Sequence, residues 1–172
     1  MSGTYAIPLS GLKEGRHNID FEIRNEFFEL FEESEIKEGS LTANIGIDKL
    51  SSHLDISVKI SGNVSICCDR CLEMFLHPID CKNRLLVKFG KSMDETDPDI
   101  LSVSQDENEL DLQQHIYEFI HLALPIKRVH PVINGKSTCD PAMLKKLEEH
   151  IIEEDKKNDP RWDDLKKLLN DN

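Results

Sequence analysis

A chain of 172 residues, 38% hydrophobic and 6% aromatic, suits one folded domain with its own core and much charged, wet surface. Its 33 acidic against 21 basic side chains give a formal charge of -12, which opposes non-specific attraction to nucleic acid or anionic lipid and excludes a simple nucleic-acid-coating protein. The start, Met1-Ser2-Gly3-Thr4-Tyr5, has neither a basic nor an apolar leader region, and no apolar run approaches the roughly 18 residues of a membrane span, so a cytoplasmic protein without a membrane partner is expected.

Along the chain, Tyr5-Ala6-Ile7-Pro8-Leu9 and the alternating His17 to Ile23 segment read as short strands, joined through Gly11 and Gly15. Phe27, Phe28 and Phe31 fall at helical spacing within residues 26–33, with acids on the other side. Two alternating runs follow, Leu41 to Ile47 and Leu54 to Ile60, and predict an antiparallel hairpin. Gly62-Asn63 reads as a turn into Val64 to Cys67. Pro78 interrupts the strand of residues 75–81 and suits an edge or bulge, and Arg84 to Phe89 alternates again. Residues 92–109 read as a solvated acidic loop holding one short strand around Ile100, Leu101 and Val103.

From Asp111 the period becomes 3.6, with Leu112, Ile116, Phe119, Ile120, Ala123 and Leu124 on one stripe that ends at Pro125. The next segment, residues 130–139, carries proline, glycine and serine and shows no regular period. Asp140-Pro141 has the form of an N-cap followed by proline in the first turn, and Asp159-Pro160 repeats it before Arg161-Trp162. The expected fold is α+β: an antiparallel β meander, as a partly open barrel-like sheet, covered by helices. Residues 1–152 form one domain in this reading, and residues 153–172 a charged linker with a short amphipathic helix carrying Trp162, Leu165 and Leu169.

Cys68 and Cys71 sit on one turn between two strands, a spacing that lets both sulfurs face one point. Tetrahedral zinc needs four ligands, and the best remaining pair is His130 with Cys139. A structural zinc site of Cys68, Cys71, His130 and Cys139 would pin the loop after the long helix to the meander. The competing reading is reduced thiols acting as small hydrophobes. A redox Cys-x-x-Cys normally opens a helix beside a βαβ unit, whereas β-hairpins flank this one. A catalytic zinc would need a nearby base, for which Glu73 is the carboxylate the motif suggests.

The Cys68-Asp69-Arg70-Cys71-Leu72-Glu73 turn, the helix ending Leu122-Ala123-Leu124-Pro125, the later Cys139 and the terminal Asp159-Pro160-Arg161-Trp162-Asp163-Asp164-Leu165 together resemble the YceD family. The resemblance implies a role in accumulation of large-subunit ribosomal RNA, 23S rRNA in bacteria, and runs over roughly residues 5–170. Members with a fuller cysteine set carry a second cysteine pair after the helix. Here only Cys139 corresponds, and His130 takes the place of its missing neighbour.

No phosphate-binding loop, nucleophile elbow or zinc-protease motif is present, so a non-enzyme without a small-molecule substrate is expected. The leading reading is a stoichiometric factor that binds a large-subunit rRNA precursor or a ribosome-assembly protein. The alternative is a thiol- or metal-responsive regulator. Between Pro125 and Cys139 the charge reverses, since Lys127, Arg128, His130 and Lys136 meet no acid. Lys127, Arg128 and Lys136, with Trp162, are therefore the expected RNA or partner contacts, and Lys82, Arg84 and Lys88 are lesser contributors.

Overall fold

The computed structural model describes residues 5–90, 100–104 and 107–150. The acidic run of residues 91–99 and the expected tail of residues 153–172, with Trp162, lie outside the described residues. The fold is α+β and is built on a five-stranded open sheet with order β2-β3-β4-β5-β6. These strands are β2 (Gly15–Ile23), β3 (Gly39–Lys49), β4 (His53–Cys67), β5 (Met74–Phe89) and β6 (Ile100–Val103). Neighbours are antiparallel except β5 and β6, which run parallel, so the sheet is mixed rather than a pure meander. Its two edges, β2 and β6, are not joined, and no barrel closes. A short β1 (Ala6–Pro8) pairs with β7 (Glu109–Asp111), and β8 (Val132–Ile133) pairs with β9 (Lys136–Ser137).

Strict alternation along β3 and β4 places Leu41, Ala43, Ile45 and Ile47 on the same face as Leu54, Ile56, Val58 and Ile60, and all eight are buried. That face packs with Leu85 and Val87 of β5, and with Ile116, Phe119 and Ile120 of α2 (Gln113–Leu122), in one core cluster. Each such side chain withdrawn from water contributes about 1.5–3 kcal/mol before the entropic cost of ordering it. The opposite face, from Asn18 to Arg84, is polar and exposed.

Two features depart from the sequence expectations, and Pro78 keeps to its own. Gly62-Asn63 is no turn: β4 runs through it, with Gly62 opposite Leu41 and Asn63 opposite Pro78. Gly62 takes φ 148, and a Cβ there would lie 2.6 Å from Leu41 Cα, so only glycine lets the two backbones approach. Pro78 takes the edge expected of it within β5: β6 pairs with Leu86–Phe89, and among the described residues β4 is the one partner of the Pro78 stretch. The phenylalanine helix is shorter than its periodicity suggests, α1 (Asn25–Glu29). Leu30 N and Phe31 N donate to the carbonyls of Phe27 and Phe28, which tightens the chain out of the α-helix.

Candidate metal centre

The β4–β5 hairpin is closed by the cysteine turn. Beyond the last strand pair, Cys67 with Met74, the Cys68 N–H donates to Glu73 O and the Leu72 N–H donates to Cys68 O, both at 2.9 Å. Leu72 takes φ 62, the left-handed conformation that costs a non-glycine residue about 1–2 kcal/mol. The turn is therefore held by its surroundings and does not relax to a looser loop.

The other half of the centre follows α2. Asp69 is bonded twice to Arg128: the Asp69 N–H donates to Arg128 O, and the Arg128 N–H donates to Asp69 Oδ2, both at 2.7 Å. The Arg128 guanidinium reaches Glu35 Oε2 at 2.5 Å. Two residues on, the His130 ring lies over Phe75 with centroids 4.6 Å apart. The chain then makes the β8–β9 hairpin around Asn134 and Gly135, whose φ of 51 and 75 are those of a two-residue turn with both central residues left-handed. The Thr138 hydroxyl donates to Pro131 O across the base of this hairpin at 2.8 Å. The hairpin returns the chain to Cys139, after which Asp140 Oδ1 accepts the Ala142 N–H at 3.0 Å and caps α3 (Pro141–His150).

These elements bring the sequence-derived ligand set together. The Sγ atoms of Cys68, Cys71 and Cys139 and a ring nitrogen of His130 all lie within 4.8 Å of one another. Cys68 Sγ and Cys139 Sγ are 3.8 Å apart, and Cys71 Sγ is 3.3 Å from His130 Nδ1. A disulfide needs about 2.05 Å. A tetrahedral zinc with bonds of about 2.3 Å to sulfur and 2.0–2.1 Å to nitrogen sets edges of about 3.8 Å between sulfurs and about 3.6 Å from sulfur to nitrogen. The Cys68–Cys139 edge matches that geometry and the Cys71–His130 edge falls slightly short of it, so the donor set suits zinc, while separations in the set that extend to 4.8 Å would shorten around an ion.

The three thiols are buried in a satellite cluster with Phe75, Val129, Met143 and Leu144 packed around it. Burial pushes the Cys68 thiol up, but the N–H groups of Cys71, Arg70 and His130 and the His130 ring outweigh this and hold it at about 6 rather than 9.0. Burial pushes Cys71 up, and the neighbouring thiols of Cys68 and Cys139 add to the shift against the N–H groups of Glu73 and Asp140. The same N–H groups are oriented to serve metal-bound thiolates.

The remaining cysteines stay outside the cluster: Cys67 is exposed, and Cys81 lies against Phe119 O at 3.8 Å. Of the expected contact residues, Lys127 and Lys136 are exposed, whereas Arg128 is engaged with Glu35 and Asp69 and serves to position the loop. Sequence reasoning missed the β8–β9 hairpin, although Asn134-Gly135 is its signal, and missed Asp69 and Phe75 as the residues that seat His130. Among the described residues no helix is long and apolar enough to cross a membrane.

No curated protein and no solved structure matches the chain. The family described as "Large ribosomal RNA subunit accumulation protein YceD" matches residues 56–169. That span excludes β1 to β3 but takes in both cysteine segments and α2. Covering well over half of the 172 residues, the match establishes that this chain belongs to the YceD family.

Proposed function

We propose that the chain is a non-catalytic factor that supports accumulation of the large ribosomal subunit RNA by binding a large-subunit precursor, with one structural zinc in the Cys68, Cys71, His130, Cys139 centre. The observation that carries the reading is the family match, which spans both halves of the metal centre. The zinc would supply folding free energy, holding the segment from Arg128 to α3 on the end of the β4–β5 hairpin. Three buried thiols and a half-buried histidine supply all four ligands, which suits a structural site better than a catalytic one, which keeps a ligand position open. The burial of the same thiols also disfavours the thiol-regulator alternative, since redox-sensing cysteines need access. The cytoplasm of a bacterium, where large subunits are assembled, is the compartment this reading assigns.

Affinity-tagged chain recovered from cells tests it. Large-subunit precursor RNA should be enriched over small-subunit RNA, with about one zinc per chain in the same sample. Equal recovery of both RNAs would contradict the proposal.

A further inference from the structure

The outward face of the sheet carries a conflict that folding alone does not explain. Register places Lys59 of β4 directly opposite Lys82 of β5, and both side chains are exposed. Like charges facing each other across a strand pair, with Cβ atoms about 5 Å apart, destabilise a sheet. Among the described residues neither lysine belongs to an ion pair. Three of the acids nearby have partners of their own, and among the described residues Asp80 does not. Asp55 receives Arg84 Nε at 2.7 Å, Asp48 lies 3.6 Å from Arg16 Nε, and Asp20 accepts the Asn44 amide at 2.8 Å. On β4 and β5, Asp80 stands alone against Lys59, Lys82 and Lys88.

Beside the lysines the face is hollowed. An open cavity of about 540 Å³ is lined by Arg16, Asn18, Gly46, Asp48, Ser57 and Arg84, among others. Asn18, Gly46, Ser57 and Arg84 form one cross-strand row, and Asp20, Asn44, Lys59 and Lys82 form the next. Gly46 sets the floor, for a Cβ there would meet Ser57 Oγ at 2.6 Å.

We infer that this face, centred on Lys59 and Lys82 with the Ser57–Arg84 row beside them, is a contact surface for an RNA phosphate backbone; this rests on the reading that the chain binds a large-subunit precursor. Lysine, serine and asparagine are the side chains that position a phosphate backbone. The two rows hold no aromatic or aliphatic anchor, so they lack both the stacking platform of a base-reading surface and the buried centre of a protein interface. Recognition is therefore independent of base sequence and confined to a few phosphates, which a chain of charge -12 tolerates at two facing lysines that no ion pair among the described residues holds.

The test is fluorescence anisotropy of the full-length, zinc-loaded chain with a labelled single-stranded RNA oligomer of mixed sequence, between about 50 and 200 mM salt. Wild type should bind with a log-log salt slope of about -2, for three contacts. The double variant Lys59→Glu and Lys82→Glu should lose about tenfold or more in affinity and most of that slope. The control Lys145→Glu and Lys146→Glu on α3 changes the net charge equally and should lose less than about twofold. Lys59→Gln with Lys82→Gln removes the repulsion, so it should melt higher than wild type while binding RNA more weakly, which separates lost contact from lost fold.

Equal losses in the two glutamate doubles, or no binding by wild type, would overturn the inference. So would displacement of the RNA by inorganic phosphate at fixed ionic strength, which marks a small-anion site, or by polyglutamate, which marks an acidic-protein site. Gradient sedimentation of cell extracts keeps the two readings apart. If wild type and the Lys59, Lys82 glutamate double both travel with large-subunit precursors, the sheet-face site fails alone. If wild type binds the oligomer through these lysines but stays at the top of the gradient, the site stands and the large-subunit reading fails.

Discussion

The sulfurs of Cys68 and Cys139 stand 3.8 Å apart although 71 positions separate the two residues in sequence. Between them the chain crosses the sheet, runs through α2 and turns at the β8–β9 hairpin. The Asp69–Arg128 bonds, the Arg128–Glu35 ion pair, the tilted Phe75–His130 contact and the small cluster of Val129, Met143 and Leu144 round the thiols hold that return. Zinc bound there is expected to act as a local clamp. Cys68→Ser or Cys139→Ser should take metal content from about one per chain to near zero. Amide exchange should then quicken across residues 128–150 while β3 and β4 keep their protection. Uniform loss of protection over the whole chain would show that the clamp and the sheet fold as one unit.

At Gly62, β4 passes close to the β3 backbone. Adding one methyl group forces either the φ of 148 or the contact with Leu41 Cα to change, and Leu41 lies in the buried face. Gly62→Ala is expected to cost about 3–4 kcal/mol. For a chain of this size that lowers the melting temperature by about 10 °C. Denaturant unfolding measures it, and a cost below about 1 kcal/mol would mean that the sheet bends freely at this point.

A pH effect should arise from Asp55. The side-chain bond from Arg84 is the main cause holding its carboxyl below the usual value, and the Arg84 charge and His53 act in the same direction against some desolvation. A depressed folded-state pKa contributes stability that is present above the unfolded value of about 3.9 and is lost as pH falls through the folded one. Arg84 is exposed, so the effect is small and screened by salt. Asp55→Asn should therefore melt about 2 °C or less below wild type at neutral pH and low salt. The gap should close as pH falls through the depressed folded-state value. A gap that widens on acidification would contradict the assignment.

Much of this structure was legible because burial imposes a period. Leu41 to Ile47, Leu54 to Ile60 and the Leu112 to Leu124 stripe each place apolar residues on one face, and each became a strand or helix there. The Asp140 cap is likewise a local signal. The four candidate ligands were legible because Cys68 and Cys71 share one turn and His130 and Cys139 share one aperiodic loop segment. What stayed hidden depends on distant partners. Gly62 reads as a turn until Leu41 is seen opposite it. The parallel pairing of β6 with β5 is recorded by no local pattern. Arg128 looks like a free cation in sequence because Glu35, which pairs with it, lies 93 positions away. The pairing of Lys59 with Lys82 is invisible until register sets them face to face.

X-ray absorption at the zinc edge, on full-length chain purified from cells without added metal, tests the metal centre most directly. One zinc per chain should show three sulfur neighbours at about 2.3 Å and one nitrogen at about 2.0–2.1 Å, and His130→Ala should remove the nitrogen shell while leaving the sulfurs. Protein that carries no zinc and whose Cys68, Cys71 and Cys139 all react freely with a thiol reagent in the native state would contradict a structural metal centre.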